Sequence, residues 1–187
     1  NNQMLSLSNV FNEHELINWK ERCEKYISRR INGFVFEEKI DGLAISLTYT
    51  DGILTIGATR GNGTSGENIT NNLKTIKSIP LKIIDDNIPK SFEIRGEVFF
   101  PKNKFQEFNK ERDSLGLQEY SNTRNAASGA LRQLDSSETA KRPLDAFFYS
   151  VGNPIDFDVS THYELLEKIN NWGFKINKNT ILIDNFS

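Results

Sequence analysis

The chain has 187 residues, of which 37% are hydrophobic and 26% charged, a composition typical of a folded globular protein with one sizeable core. Its formal net charge of −2 excludes a protein that binds nucleic acid through an overall basic surface, so any contact with phosphates must be local. No apolar run of about 18 residues predicts a membrane span, and the first residues lack the pattern of a signal peptide. We therefore expect a cytoplasmic protein.

The first predicted helix covers residues 12–28. Asn12 followed by Glu15 forms a start that resembles a capping box, and apolar side chains then recur at helical spacing. Cys23 lies in this apolar stripe and is predicted to be buried. As the lone cysteine, it excludes an internal disulfide and a multi-cysteine zinc site. Upstream, residues 4–7 read as part of a packed segment, so we expect a piece of a longer protein.

A strand and a β-hairpin are predicted next. Residues 34–38 predict a strand that leads into the run 43–50, where apolar residues alternate with small or polar ones. Asp51-Gly52 is typical of a type I′ turn, and residues 53–57 continue the alternation after it.

Four glycines fall in the sequence GATRGNGTSG at residues 57–66. This density does not suit a regular element but suits a loop whose backbone approaches a ligand closely. A flexible surface loop is an alternative interpretation of the same pattern. A short helix over about 67–75 is predicted to follow.

The second half of the chain mixes strands and helices. Strands are predicted at 91–100, at 143–151 and near Ile181. Helices are predicted over 101–113 and 163–172, and within residues 121–134 the spacing of Arg124 and Arg132 places them close to one helical face. Since there is no internal repeat and no linker, we expect one α+β unit of largely antiparallel sheets flanked by helices.

Ionisable residues alternate along two of the predicted strands, so that each set would project from one strand face. They are Glu37, Lys39 and Asp41 on the first strand, and Glu93, Arg95 and Glu97 on the later one. If both faces look into one cleft, opposite charges can partner each other and partial burial becomes tolerable. The alternative is two ordinary solvated faces.

A reactive lysine among these carboxylates would need help from its surroundings. Lysine attacks only when it is neutral, and neighbouring carboxylates favour its charged form. The candidates for the opposing charge are a bound metal ion or Arg60, Arg124 and Arg132, which also suit phosphate oxygens. The residues alone thus point to a cleft in which a lysine acts on a phosphate compound.

Several motifs, taken together, resemble a known family. Residues 39–42 match the Lys-x-Asp-Gly motif of nucleotidyltransferases that carry AMP or GMP on a lysine. The more specific stretches are EEKIDGLA at 37–44, ATRGNGTSGE at 58–67, RGEV at 95–98 and TRNAASGALRQLD at 123–135. In this order they resemble the adenylation domain of the bacterial NAD-dependent DNA ligases, over essentially the whole chain.

The resemblance implies an enzyme that uses NAD and Mg²⁺, acts on nicked double-stranded DNA and works as a monomer. Lys39 would attack the α-phosphorus of NAD, release nicotinamide mononucleotide (NMN) and carry AMP as a phosphoramide. The AMP would then pass to the 5′-phosphate of a nick, and the adjoining 3′-hydroxyl would displace it and seal the strand.

The resemblance also implies a role for each matching residue. Lys39, Asp41 and Glu97 would be catalytic, with the two carboxylates serving the ribose and the metal-organised nucleophile; no residue is assigned as a permanent metal ligand. The nucleotide contacts would come from Glu37 on the adenine, Tyr149 stacked on the adenine face, Arg60 on the ribose and DNA phosphates, and Arg124 and Arg132 on the nucleotide and nick phosphates.

Two positions depart from the family, which usually has aspartate in place of Asn62 and proline in place of Thr123. Because both are predicted to lie in loops, we expect altered DNA contact or loop stiffness rather than lost chemistry. The family's N-terminal NMN-binding module and its OB, zinc-finger, helix-hairpin-helix and BRCT parts have no counterpart in residues 1–187. We therefore expect a partial adenylation domain that does not seal nicks alone.

Two other functions stay open at this point. An ATP-dependent ligase or a GTP-using capping enzyme shares the lysine motif, although the arginine-glycine loop and the segment 125–135 speak against it. The other is a non-catalytic fragment that binds an adenine nucleotide or a partner.

Overall fold

The computed structural model describes residue 4 and residues 8–184. Helices and antiparallel strands alternate along this part of the chain, which confirms the predicted α+β class. The helices are α1 (Glu13–Ile27), α2 (Thr70–Leu73), α3 (Lys102–Ser114), α4 (Thr123–Leu131), α5 (Ser136–Ala140) and α6 (His162–Asn171). The strands are β1 (Phe34–Phe36), β2 (Leu43–Thr50), β3 (Ile53–Thr59), β4 (Ser91–Phe99), β5 (Asp145–Val151) and β6 (Ile181–Ile183), and a short 3₁₀ helix (Pro154–Phe157) follows β5.

The main sheet has four antiparallel strands in the order β3-β2-β4-β5. The predicted hairpin of β2 and β3 is confirmed, and Asp51 and Gly52 at its turn have φ of +49° and +75°, as a type I′ turn requires. A separate two-stranded sheet pairs β1 with β6, with Phe34 opposite Ile183.

The hydrophobic core lies on one face of the main sheet, because apolar side chains alternate along its strands. It contains Ile45 and Leu47 of β2, Ile94 and Val98 of β4, Phe148 of β5, and Leu165, Leu166 and Ile169 of α6. Burial of each such side chain contributes about 1.5–3 kcal/mol to folding. Along β2 and β4 the other face of the sheet carries mainly small, polar and charged side chains, and the predicted site must lie on that side.

The prediction that Cys23 is buried is wrong. No residue of α1 is buried, since the helix lies beside the two-stranded sheet, with the rings of Trp19 and Phe34 6.1 Å apart. Its predicted start is confirmed, because Asn12 Oδ1 accepts a hydrogen bond from the Glu15 backbone N–H at 2.9 Å.

Several elements are shorter than predicted. Strand β1 stops at Phe36, α2 occupies only part of 67–75, and α4 ends at Leu131, so that Arg132 is its C-cap residue.

The predicted packing of residues 5–7 lies outside the described residues, whereas the Met4 backbone N–H donates to the Gly63 carbonyl at 3.1 Å. Among the described helices, none is long and apolar enough to cross a membrane.

Candidate active site

Residues 37–42 link the two sheets and have no regular structure. Strand β1 ends at Phe36 in the two-stranded sheet, and β2 begins at Leu43 in the main sheet. Because the chain crosses between sheets here, these residues belong to neither hydrogen-bond ladder. The prediction that the first charged trio shares a strand face is therefore wrong, and its members Glu37, Lys39 and Asp41 lie on this crossing segment. The side chain of Lys39 is exposed.

Gly42 fixes the end of the crossing segment against β4. Its backbone N–H donates a hydrogen bond to Glu97 Oε1 at 3.2 Å. The residue is buried, and a Cβ at this position would lie 2.1 Å from the carbonyl oxygen of Val98. Only glycine fits, so the glycine of the Lys-x-Asp-Gly motif has a steric reason: it lets the lysine-bearing segment approach the strand that carries Glu97.

Glu97 is the centre of a cluster of charges. Burial raises the pKa of its carboxyl, whereas the Gly42 N–H and the positive charges of Lys39, Arg124 and Arg60 act to lower it. These groups come from the crossing segment, from α4 and from the residue after β3. The fold thus brings ionisable groups that are far apart in the sequence to one carboxylate.

The alternation of charges predicted on β4 is confirmed. Glu93, Arg95 and Glu97 are half-buried on the polar face, and the residues between them are buried in the core. Arg95 Nε donates to Glu93 Oε1 at 2.6 Å. On the neighbouring strand, Ala44 and Ser46 lie opposite Glu97 and Arg95, and their small side chains leave room above the sheet.

Arg60 is held at the start of β2. It follows β3 directly, and its backbone N–H donates to the carbonyl of Ala44 at 2.9 Å. Since Ala44 is opposite Glu97 in the sheet, this bond explains why the arginine contributes to the surroundings of that carboxylate.

The glycine-rich loop after Arg60 folds back on itself. A Cβ on Gly61 would lie 1.9 Å from the carbonyl oxygen of Ser65, and one on Gly66 would lie 1.7 Å from that of Thr59. These glycines are needed for contact with the chain's own backbone. Most of the loop is exposed at the surface, but it is internally hydrogen-bonded, which argues against the interpretation that it is flexible.

The structure describes both positions that depart from the family pattern. Asn62 Oδ1 accepts hydrogen bonds from the backbone N–H groups of Thr64 and Ser65 at 3.0 and 2.9 Å, and an aspartate there would accept the same bonds. Thr123 is the first residue of α4, after the N-cap Asn122, so the prediction that it lies in a loop is wrong. Proline is favoured at this helical position.

Helix α4 presents the two predicted arginines near its opposite ends. Arg124 Nη1 lies 3.6 Å from Oδ1 of Asp41, and both side chains are exposed. Arg132 Nε instead donates to Oε2 of Glu67 in the glycine-rich loop at 2.8 Å. The structure therefore brings Arg124 to the crossing segment and places Arg132 roughly 12 Å further along the helix axis.

Tyr149 lies at a bulge in β5, where Arg95 pairs with Ser150 but Gly96 pairs with Phe148. Burial raises the pKa of the Tyr149 phenol to about 12; the Glu97 carboxylate acts in the same direction, and Arg60 and Arg95 oppose it. The ring is therefore neutral at physiological pH, and it shares the surroundings of Glu97.

Glu37 has a partner that sequence analysis missed. Its Oε2 lies 3.0 Å from Nε2 of His162, the first residue of α6. No motif singles out His162, because this contact depends on how α6 docks beside the crossing segment. The only local signal is the capping-box spacing of Thr161 and Glu164, which marks the start of the helix.

Most of the predicted site residues thus lie around Glu97 and the adjoining end of the crossing segment, whereas Glu37 pairs with His162 and Arg132 pairs with Glu67. Those that meet are Lys39, Asp41, Arg60, Glu97, Arg124 and Tyr149. Among the residues that the structure describes, no group of three or more His, Cys, Asp and Glu side chains could hold a metal ion. The arrangement combines an exposed amine, two carboxylates, two guanidinium groups and a neutral aromatic ring, a set suited to a nucleotide and its phosphates.

Comparison with known proteins agrees with this geometry. The family model for the NAD-dependent DNA ligase adenylation domain matches residues 1–187. Among curated relatives, a DNA ligase of Dehalococcoides mccartyi is 48% identical over 182 residues, which is 97% of this chain and 27% of that protein. A DNA ligase of Rickettsia canadensis is 48% identical over 97% of this chain and 26% of its own length, and one of Herpetosiphon aurantiacus is 43% identical over 98% and 28%. The chain spans about a quarter of the length of these relatives, and it belongs to the family of NAD-dependent DNA ligase adenylation domains.

Proposed function

We propose that this domain performs the nucleotidyl-transfer chemistry of an NAD-dependent DNA ligase, with Lys39 as the nucleophile. The neutral Nζ attacks the α-phosphorus of NAD, a P–N bond forms, and the P–O bond to the NMN phosphate breaks with that phosphate as the leaving group. An oxygen of the 5′-phosphate at a nick in double-stranded DNA then attacks the AMP phosphorus, so that a P–O–P bond forms, the P–N bond breaks and the Lys39 amine is the leaving group. Attack by the adjoining 3′-hydroxyl releases AMP and seals the strand.

The observation that carries the proposal is the position of the Lys39 segment against Glu97, fixed by the Gly42 N–H at 3.2 Å. Because the backbone at Lys39 is already held in place, less conformational entropy is lost when its side chain reaches the α-phosphorus than if the whole segment were mobile. The neighbouring carboxylates have cationic partners other than Lys39. Asp41 Oδ1 lies 3.6 Å from Arg124 Nη1, and the positive charges of Arg124 and Arg60 also act on the Glu97 carboxylate. They therefore need not rely on the amine for neutralisation.

The positions of Tyr149, Arg60 and Arg124 around Glu97 support their roles. The roles of Glu37 and Arg132 follow from the resemblance to the family. Tyr149 provides a neutral ring on which adenine stacks, and Glu37 accepts from the adenine. Glu97 and Asp41 hold the ribose. Arg60 contacts the ribose and DNA phosphates. Further charge for the nucleotide and nick phosphates comes from Arg124 and Arg132.

Mg²⁺ is consistent with the carboxylates at this site. In phosphate-handling enzymes the ion is usually held by one or two carboxylates together with substrate phosphates and water. Asp41 and Glu97 are the carboxylates beside the nucleophile that would hold it. When bound, Mg²⁺ would neutralise charge on the phosphates.

The same function includes a wider setting for the domain. We expect it to act within a monomeric ligase in the cytoplasm, where NAD and nicked DNA are both present. An NMN-binding module and DNA-encircling parts would complete the site, and the 187 residues alone would bind nucleotide weakly at most.

Intact-mass spectrometry of the natural full-length protein after exposure to NAD tests the proposal. We expect NAD to give an AMP adduct that maps to Lys39 and is absent from the Lys39→Ala variant, and we expect no AMP adduct from ATP and no GMP adduct from GTP. An adduct on any other residue, or one formed only from ATP or GTP, would refute the assignment. A protein that binds NAD without forming an adduct would point to the non-catalytic alternative.

A further inference from the structure

The contact between His162 and Glu37 joins two parts of the fold that the chain does not connect locally. Glu37 lies two residues before Lys39 on the crossing segment, and His162 opens helix α6. Their Nε2 and Oε2 atoms are 3.0 Å apart, with side chains 40% and 23% exposed. This distance is that of a direct hydrogen bond.

The chemistry of the two groups determines which of them donates the hydrogen bond. An ionised carboxylate can only accept hydrogen bonds, so the hydrogen must be on Nε2 of the imidazole. Within the described part of the chain, His162 is the one partner of the Glu37 carboxyl, and it engages Oε2. The second oxygen, Oε1, is therefore available to accept from a ligand.

Helix α6 is a rigid support for the imidazole. Thr161 Oγ1 accepts from the Glu164 backbone N–H at 3.1 Å, and the Glu164 carboxylate accepts in return from the Thr161 N–H at 3.3 Å. The helix is fixed to the sheet by buried Leu165 and Leu166. By contrast, Glu37 lies in a segment without regular structure, so its side chain needs an external support to keep one orientation.

We propose that His162 is a positioning residue, which holds one oxygen of Glu37 so that the other accepts from the 6-amino group of the bound purine. The inference rests on the proposed function, in which Glu37 contacts the adenine. On this inference, selection of a 6-amino purine over a 6-oxo purine depends on His162 and Glu37 together and not on Glu37 alone. A carboxylate that rotates freely would lose orientational preference for the amino group.

The test compares self-adenylation of the natural full-length protein with NAD and with the NAD analogue in which hypoxanthine replaces adenine. In the His162→Ala variant we expect KM for NAD to rise about tenfold, from the loss of orientation of one charge-assisted hydrogen bond. The maximal rate and the KM for the analogue should stay nearly constant, so the preference for NAD should fall by the same factor.

Two further variants make the test specific. His162→Gln keeps an N–H donor of similar reach without the ring, and it should restore much of the preference. His14→Ala removes the other histidine of the chain, which is exposed on α1, and should leave the preference unchanged. Melting curves of the variants would show whether α6 is still folded.

The outcomes separate this inference from the proposed function. If the unmodified protein forms an adduct on Lys39 but His162→Ala keeps the full preference, or loses rate equally with both dinucleotides, the positioning role is wrong and the function stands. If the unmodified protein forms no adduct with NAD, both are wrong.

Discussion

The backbone N–H of Gly42 donates to Glu97 Oε1 at 3.2 Å, and this hydrogen bond joins the lysine-bearing segment to the central strand β4. The two residues belong to separate motifs in the sequence. Their contact couples the position of the proposed nucleophile to a carboxylate of the polar face. A substitution of either residue should therefore have a larger effect on adenylation of Lys39 than on the fold as a whole.

Gly42→Ala should greatly reduce formation of the AMP adduct on Lys39. The added Cβ would lie 2.1 Å from the Val98 carbonyl oxygen, so the crossing segment must move away from β4, at a cost of about 1–3 kcal/mol in the free energy of unfolding. Adduct formation by mass spectrometry and thermal unfolding would measure the two effects.

Gly33→Ala is the matched control for this change. A Cβ at Gly33 would meet its nearest atom, the Ile183 carbonyl oxygen, at an ordinary contact distance of 3.6 Å. We expect nearly unchanged adduct formation. Equal activity of the two alanine variants would contradict the steric role assigned to Gly42.

Glu97→Gln should lower the rate of adenylation by about a hundredfold or more and yet stabilise the fold at neutral pH. Glutamine retains an oxygen acceptor for the Gly42 N–H but carries no charge. Because burial is the main cause that raises the pKa of Glu97, the ionised carboxylate destabilises the folded state. The measurements are single-turnover adenylation and urea unfolding at pH 7.

The pH dependence of this stabilisation has a definite sign. With a pKa raised above its ordinary value of 4.5, folded Glu97 binds more protons than unfolded Glu97 between the two pKa values, so its contribution to stability falls as pH rises through that window. The advantage of Glu97→Gln should be largest above the folded pKa and vanish below about pH 4. A constant advantage at every pH would exclude burial of the charge as its cause.

The elements that could be predicted from the sequence are those whose pattern is local. The β2–β3 hairpin follows from alternation and Asp51-Gly52, and the polar face of β4 follows from alternation at Glu93, Arg95 and Glu97. The start of α1 follows from its cap. In each case neighbouring residues determine the geometry, so no knowledge of distant contacts is needed.

The features that could not be predicted depend on contacts between distant parts of the chain. The same alternation suggested a strand at 37–41, but β1 belongs to a different sheet from β2, and the chain between them must cross. Cys23 lies on an apolar helical stripe that the main core does not cover. His162 contacts Glu37 only because α6 docks beside the crossing segment.

Tyr149→Ala should raise KM for NAD by about tenfold to a hundredfold, since stacking of a base on an aromatic ring contributes about 1–3 kcal/mol. Tyr149→Phe is the matched control and should change KM little, because the phenol, with its pKa raised to about 12, is neutral in the assay and the ring is retained. Initial rates of adduct formation against NAD concentration give both values. A large loss in the phenylalanine variant would show that the hydroxyl, not stacking, carries the role.

Arg124→Ala and Arg132→Ala should both impair nick sealing with little effect on stability. Their ion pairs with Asp41 and Glu67 are solvent-exposed, so each is expected to contribute less than about 1 kcal/mol to folding. If each arginine contacts a DNA phosphate, its removal should reduce the salt slope of DNA affinity by about 1. Binding of nicked DNA across a salt series measures that slope, and Lys141→Ala, which removes an exposed lysine paired with Glu138, is the control. A slope that stays the same in both arginine variants would count against phosphate contact.

Thr123→Pro should stabilise the protein without altering adenylation. Thr123 is the first residue of α4, where proline loses no intrahelical hydrogen bond. The preceding Asn122 is extended, with φ −160° and ψ 167°, a conformation that the residue before proline favours. The N-cap bond from the Asn125 N–H to Asn122 Oδ1 at 2.8 Å does not involve the substituted residue.

By restricting the unfolded chain, the change should add about 0.4–1 kcal/mol to the free energy of unfolding. Urea unfolding measures this gain, and Thr123→Ala separates the effect of the proline ring from the loss of the threonine side chain. Destabilisation by proline alone would mean that α4 does not begin at this residue.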